Sequence, residues 1–135
     1  MENLKEIRWK QRFENFDKSY KLLKKYSHKP IVTELERAGI IQFFEMTFEL
    51  AWKTMKDFLE YNGISENIGS PREILRRAFE SHLIEDGEEW INMMLARNSL
   101  SHLYDEETSR KIYKEIKENY IKLLEKLNQR FETLL

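Results

Sequence analysis

Only two prolines and four glycines interrupt the 135 residues of this chain, and that scarcity of breakers limits what it can fold into. Proline removes a backbone donor and clashes with the preceding turn, and glycine loses backbone entropy on folding. Long stretches without either can therefore stay helical. Those stretches are rich in Glu, Lys, Leu and Arg, which lose little on entering a helix. No segment alternates apolar and polar residues as a strand would. The expected fold class is all-α.

The apolar residues divide the chain into five helices, three long and two short. Trp9, Phe13, Phe16, Tyr20 and Leu23 recur at steps of four and three, which predicts a helix over Leu4–Tyr26. Ser27-His28-Lys29-Pro30 should end it, because the residue before proline avoids the helical region. A second helix is expected over Thr33–Asn62, with Ile41, Phe44, Phe48, Ala51, Trp52, Met55, Phe58 and Leu59 on a wide apolar face and Asn62-Gly63 as its stop. Phe43 and Met46 lie off that stripe and mark either a dimer contact or a thicker local core. Ser70-Pro71-Arg72-Glu73 is a start signal, with Ser70 as cap, Pro71 at the first helical position and Glu73 reaching back. Ile74, Leu75, Ala78 and Phe79 should then face inward. Asp86 is expected to cap a fourth helix with Trp90, Ile91, Met94 and Leu95 as its core face. A last long helix runs from Thr108 to Leu135, with Ile112, Ile116, Tyr120, Leu123, Leu127 and Leu134 inward and Tyr113, Leu124 and Phe131 at the edges. These helices should pack as one up-and-down bundle domain spanning 1–135.

Composition excludes several classes. Hydrophobic residues are 41% and aromatic residues 13%, enough to build a core. The chain has no cysteine, which rules out disulfides and thiolate metal sites and fits a reducing compartment. The opening Met1-Glu2-Asn3-Leu4-Lys5 lacks a signal-peptide core, and no stretch approaches the about 18 apolar residues of a membrane span, so a cytoplasmic location without membrane contact is expected. The net charge of −1 does not by itself point to nucleic acid.

One segment departs from the amphipathic pattern. Arg97-Asn98-Ser99-Leu100-Ser101-His102-Leu103-Tyr104-Asp105 concentrates polar and ionisable groups that are costly to bury unpaired. It is either a solvated helix end or a site. At about 100° per residue, Arg97, Ser101 and Tyr104 share one face of a continuous helix, and His102 lies about 140° from Arg97. Arg97 and His102 converge only if the helix unwinds near Ser99 to Ser101, or if two copies meet across a twofold axis. Arginine grips phosphate through paired hydrogen bonds, and histidine titrates near neutrality. Together they suit metal-independent cleavage of an RNA phosphodiester, with His102 as base and Arg97 as the charge stabiliser. The carboxylates Glu88, Glu89, Asp105 and Glu106 lack a metal-ligand spacing, so no metal or cofactor is expected.

Arg97-x4-His102-x-Tyr104 matches the pattern of the HEPN superfamily. More of the chain resembles one branch of it, the nucleotidyltransferase substrate-binding proteins: Arg8-Trp9-Lys10-Gln11-Arg12-Phe13, Gln42-Phe43-Phe44-Glu45, Phe48-Glu49-Leu50-Ala51-Trp52-Lys53, Ser70-Pro71-Arg72-Glu73 and Ala78-Phe79. The resemblance spans about Arg8 to Leu127. It implies a helical homodimer with a minimal nucleotidyltransferase encoded alongside. It also implies a ribonuclease toxin in which Arg97 and His102 are catalytic and Asn98 to Ser101 shape the RNA pocket. Tyr104 would be the residue to which the partner attaches AMP. The alternative that it implies is a non-catalytic nucleotide- or substrate-binding subunit of that enzyme. A third reading is a plain helical interaction module in which His102 is buried with a fixed partner.

Among the remaining residues, Trp9, Trp52 and Trp90 read as core anchors, and His28 and His82 as surface or helix-end residues. Glu49 and Lys53 read as a surface pair. Arg72, Arg76 and Arg77 are either solvated or form an RNA- or partner-facing patch.

Overall fold

The computed structural model describes residues 3–64 and 69–135; Met1 and Glu2, part of the opening segment considered above, lie outside it. Every regular element among the described residues is helical. The order is α1 (Leu4–Ser27), α2 (Glu34–Tyr61), α3 (Pro71–Glu80), α4 (Gly87–Asn98), α5 (Glu106–Glu115) and α6 (Ile121–Leu134). A π-type turn, Ile116–Tyr120, joins α5 to α6 without a break, so the two form one long rod and the expected set of three long and two short helices stands. No described helix is long and apolar enough to cross a membrane.

Side-chain caps set the starts of α2 and α3. Thr33 and Glu36 form a reciprocal box, with the Glu36 amide 3.1 Å from Thr33 Oγ1 and the Thr33 amide 2.9 Å from Glu36 Oε1. Ser70 Oγ accepts the Glu73 amide at 3.2 Å, as expected. Glu73 does not reach back to the cap, because its carboxylate is taken by Arg76 and Arg77. Asp86 makes no side-chain cap for α4, and its carboxylate instead meets Lys126 of α6 at 3.1 Å. At the end of α2, Gly63 takes the left-handed conformation (φ 73°), which lets the Ile64 amide fold back onto the Leu59 carbonyl at 2.9 Å. His82 does the same after α3 with φ 64°. His28 and His82 are both exposed, as expected of helix-end residues.

The core runs along α1 and α2; α6 packs on both of them, α5 and α3 pack on α2, and α4 packs on α3 and α2. Trp9, Phe13, Phe58 and Phe131 form a ring cluster: Trp9 meets Phe58 edge-on at 5.0 Å, and Phe131 lies 5.5–5.7 Å from the other three rings. Trp52 and Trp90 are also buried. Phe131 and Leu124, expected at the edge of the last helix, are fully buried, while Leu134 is only half-buried. In α4 the buried face is Trp90, Met93 and Met94, and Leu95 is 49% exposed. Phe79 is 49% exposed rather than inward, and its ring lies across the start of α4 so closely that a Cβ at Gly87 would come within 2.8 Å of it. Phe43 stacks on Tyr26 at 5.7 Å, which favours the thicker-core reading for that ring, and Met46 stays 42% exposed.

Buried polar contacts tie the rods together. Ser19 and Thr47 hydroxyls meet at 2.7 Å between α1 and α2, and Arg12 reaches buried Asp57 at 3.0 Å. Arg37, buried near the start of α2, donates from Nε to Ser109 Oγ of α5 at 2.9 Å. Its charge also helps hold the Glu106 carboxyl below its usual range, an effect led by the hydrogen bond from Arg110. This contact fastens the beginning of α5 to α2.

Candidate functional site

The last turn of α4 ends where small polar side chains compete for its carbonyls. The Ser99 amide bonds to the carbonyls of Leu95 and Ala96 at 3.2 and 3.1 Å, and the Ser99 hydroxyl donates to the Ala96 carbonyl at 2.7 Å. The chain then tightens into a three-residue 3-10 turn, Leu100–His102. The continuous helix that would have put Arg97, Ser101 and Tyr104 on one face is therefore not present. The helix does unwind near Ser99, yet within one chain this does not bring Arg97 into contact with His102. Leu100 and Leu103 are half-buried against the core and anchor the turn. That leaves Ser101, His102 and Tyr104 in solvent, with Tyr104 86% exposed.

His102 and Tyr104 are brought together, their rings edge-on at 6.1 Å. Beyond them, the Asp105 carboxylate accepts from the Thr108 hydroxyl at 2.7 Å. That hydrogen bond, followed by backbone donors and the charge of His102, holds the Asp105 carboxyl below its ordinary range.

Arg97 is held from another direction. Its Nη2 lies 2.6 Å from Glu49 Oε1 and 3.8 Å from Glu45 Oε1, both on α2. Glu49 is oriented in turn by Trp52, whose indole Nε1 donates to Oε2 at 3.1 Å, and it has Lys53 at 3.9 Å. The Glu49–Lys53 surface pair of the sequence reading is thus the weaker part of a Trp52–Glu49–Arg97 chain. Within one chain Arg97 makes no hydrogen bond to His102 or Tyr104 among the described residues, and its Nε has no protein partner. Glu45 entered the sequence reading only as part of the Gln42-Phe43-Phe44-Glu45 stretch and was given no role there; its spacing of four from Glu49 places both carboxylates on one side of α2, facing Arg97.

Arg97 and Asn98 line a cleft of about 280 Å³ with Phe48 and Glu49 of α2, Met94 of α4 and Ser70, Pro71 and Arg72 at the start of α3. Ser101 and His102 lie on the turn that follows. Two larger depressions of about 520 and 760 Å³ flank Lys126 and contain none of the motif residues.

An all-helical bundle with Arg97 in the last turn of its fourth helix, and with His102 and Tyr104 on the exposed turn after it, is consistent with the HEPN class. Residues 11–133 match the family described as "Nucleotidyltransferase substrate binding protein like", and the chain belongs to that family. A Haemophilus influenzae protein named "Probable ribonuclease HepT" is 39% identical over 106 residues, covering 74% of this chain and 73% of that protein. A crystal structure of a Thermus thermophilus protein superposes with a TM-score of 0.78 at 29% identity, over 85% of this chain and 97% of the other. An H. influenzae structure, described as revealing the fold of a substrate binding domain of a nucleotidyltransferase, gives 0.69 at 28% identity over 92% and 96%.

Proposed function

We propose that this chain is a metal-independent endoribonuclease of the HEPN type that works as a homodimer and is neutralised by a partner nucleotidyltransferase. The observation that carries the reading is the solvent-facing His102 on a turn anchored next to Arg97, in a chain 39% identical to a protein named as a ribonuclease. His102 takes the proton of a ribose 2′-hydroxyl, the oxygen attacks the adjacent phosphorus, and the bond to the 5′-oxygen breaks. Arg97 stabilises the charge that grows on the phosphate oxygens. The leaving 5′-oxygen takes its proton from the His102 imidazolium of a second copy, and the product end is a 2′,3′-cyclic phosphate. Asn98 and Ser101, both exposed beside these groups, contact the RNA. Transfer of AMP to the Tyr104 phenol places an anionic phosphate next to Arg97 and His102 and fills the groove.

The alternative, a non-catalytic substrate-binding subunit of a nucleotidyltransferase, draws on the family description and on the carboxylates that already neutralise Arg97. The third reading required a buried His102 with a fixed partner, and His102 is exposed with no hydrogen bond from its side chain among the described residues. The test compares wild type with His102→Ala. Purified wild type should cut RNA to cyclic-phosphate ends and arrest growth when expressed alone, and the variant should do neither. Wild type that cuts no RNA and leaves growth unaffected removes the nuclease reading in favour of the binding subunit.

A further inference from the structure

Three arginines share the short helix α3, and the structure separates them. Arg76 pairs with Glu73 and has Glu80 at 4.0 Å, and Arg77 has Glu73 at 3.5 Å. Arg72 has no side-chain hydrogen bond or ion pair among the described residues, is exposed, and lines the same cleft as Arg97 and Asn98. Among the described residues, the only carboxylate in that lining, Glu49, is already occupied by Arg97 and Trp52. Among the described residues, Arg72 is thus the one cationic group of the cleft whose charge is not met within the chain. It also sits in the first turn of α3, where backbone amides add positive potential.

We propose that Arg72 is a phosphate contact for single-stranded RNA, gripping a backbone phosphate adjacent to the one that Arg97 addresses. This rests on reading Arg97 and His102 as an RNA site. A planar guanidinium with all its side-chain donors unused matches a phosphate through two parallel hydrogen bonds. Cations set along a groove follow the sugar–phosphate chain of a single strand. The contact adds affinity and register and carries no base preference. An AMP group attached at Tyr104 offers the same phosphate chemistry, so the experiment has a separate arm for it.

The full chain carrying His102→Ala serves as the parent, so that binding is read without cutting. Its affinity for a labelled single-stranded RNA is measured by fluorescence anisotropy over a salt series. Adding Arg72→Ala should weaken binding several-fold at low salt and reduce the slope of log affinity against log salt by about 0.7, the value for one phosphate contact on a single strand. Arg72→Lys should keep the slope, Arg76→Ala should match the parent, and Arg72→Gln repeats the test should the alanine variant unfold. An Arg72→Ala chain that equals the parent in affinity and slope overturns the proposal and leaves the nuclease reading standing. A parent that binds no RNA overturns both. In the second arm, with AMP as the probe, a loss of AMP binding with RNA binding unchanged assigns Arg72 to the nucleotide and overturns the RNA contact.

Discussion

Arg97 Nη2 stands 2.6 Å from Glu49 Oε1, so a side chain from the end of α4 is held by a carboxylate from the middle of α2. Glu49 is fixed by the Trp52 indole, and Trp52 is buried. The guanidinium is therefore mounted on a chain of contacts that ends in the buried core of α2, although the turn beside it lies in solvent. Charge-assisted hydrogen bonds of this kind set orientation as well as energy.

Glu49→Gln should separate holding from charge. Removing one negative group from the cleft should tighten RNA binding. The less firmly positioned Arg97 should cost about tenfold in the cleavage rate constant, since misplacement by about 1 Å can cost up to a hundredfold. Single-turnover cleavage at saturating protein measures this. A rate constant equal to wild type would show that Glu49 does not position Arg97.

Tyr104→Phe should leave stability within about 0.5 kcal/mol of wild type, because the side chain is exposed and accepts no hydrogen bond among the described residues. The variant lacks the oxygen that would receive AMP. Co-expressed with the nucleotidyltransferase, it should still arrest growth where the wild-type chain does not. Full protection by the partner would rule out Tyr104 as the acceptor.

Phe131→Ala should destabilise the bundle by about 3–5 kcal/mol, the usual cost of emptying an aromatic core position. Phe131 is fully buried and touches Trp9, Phe13 and Phe58 at once, so no single neighbour can collapse into the space. A urea titration with tryptophan fluorescence reads the loss. A shift under about 1 kcal/mol would mean that this cluster relaxes far more than its geometry implies.

Acid should loosen the contact between α1 and α6. Burial pushes the Asp17 carboxyl upward, but hydrogen bonds from Lys21 and Asn128 outweigh it and leave it below its ordinary value. A carboxyl depressed in the folded state contributes stability that is fully present above the unfolded value of about 4 and is lost as pH falls through the folded one. Asn128 of α6 donates to Asp17 Oδ1 at 3.0 Å, so Asp17→Asn should flatten the decline in unfolding midpoint below about pH 4. An unchanged acid limb would place the linkage in other carboxylates.

Much of the fold was legible because local signals agreed with one another. Ser70 with Pro71 marked a helix start, Asn62-Gly63 marked a stop, and the aromatic stripe of α1 marked its buried face. The rotation of α4 was not legible: Trp90, Ile91, Met93, Met94 and Leu95 are apolar in near succession, so more than one face fits the pattern, and packing chose Met93 over Leu95. The π-type turn left no mark either. Ile112, Ile116, Tyr120 and Leu124 fall at steps of four, each of which drifts about 40° on an ideal helix, and a wider turn absorbs part of that drift. In the site, the break near Ser99 was one of two alternatives that the spacing of Arg97 and His102 left open, and the end of α4 at Asn98 shows that it occurs. The grip of Glu49 on Arg97 was not legible, because an acid on a helix has a ready local partner four residues on, while its stronger partner comes from a distant part of the chain.

The exposure of Tyr104 also bears on timing. A phenol that already stands outside the packed interior can be met by another molecule at the rate of encounter, with no wait for the bundle to open. Control exerted there can act quickly on a chain whose core is never disturbed.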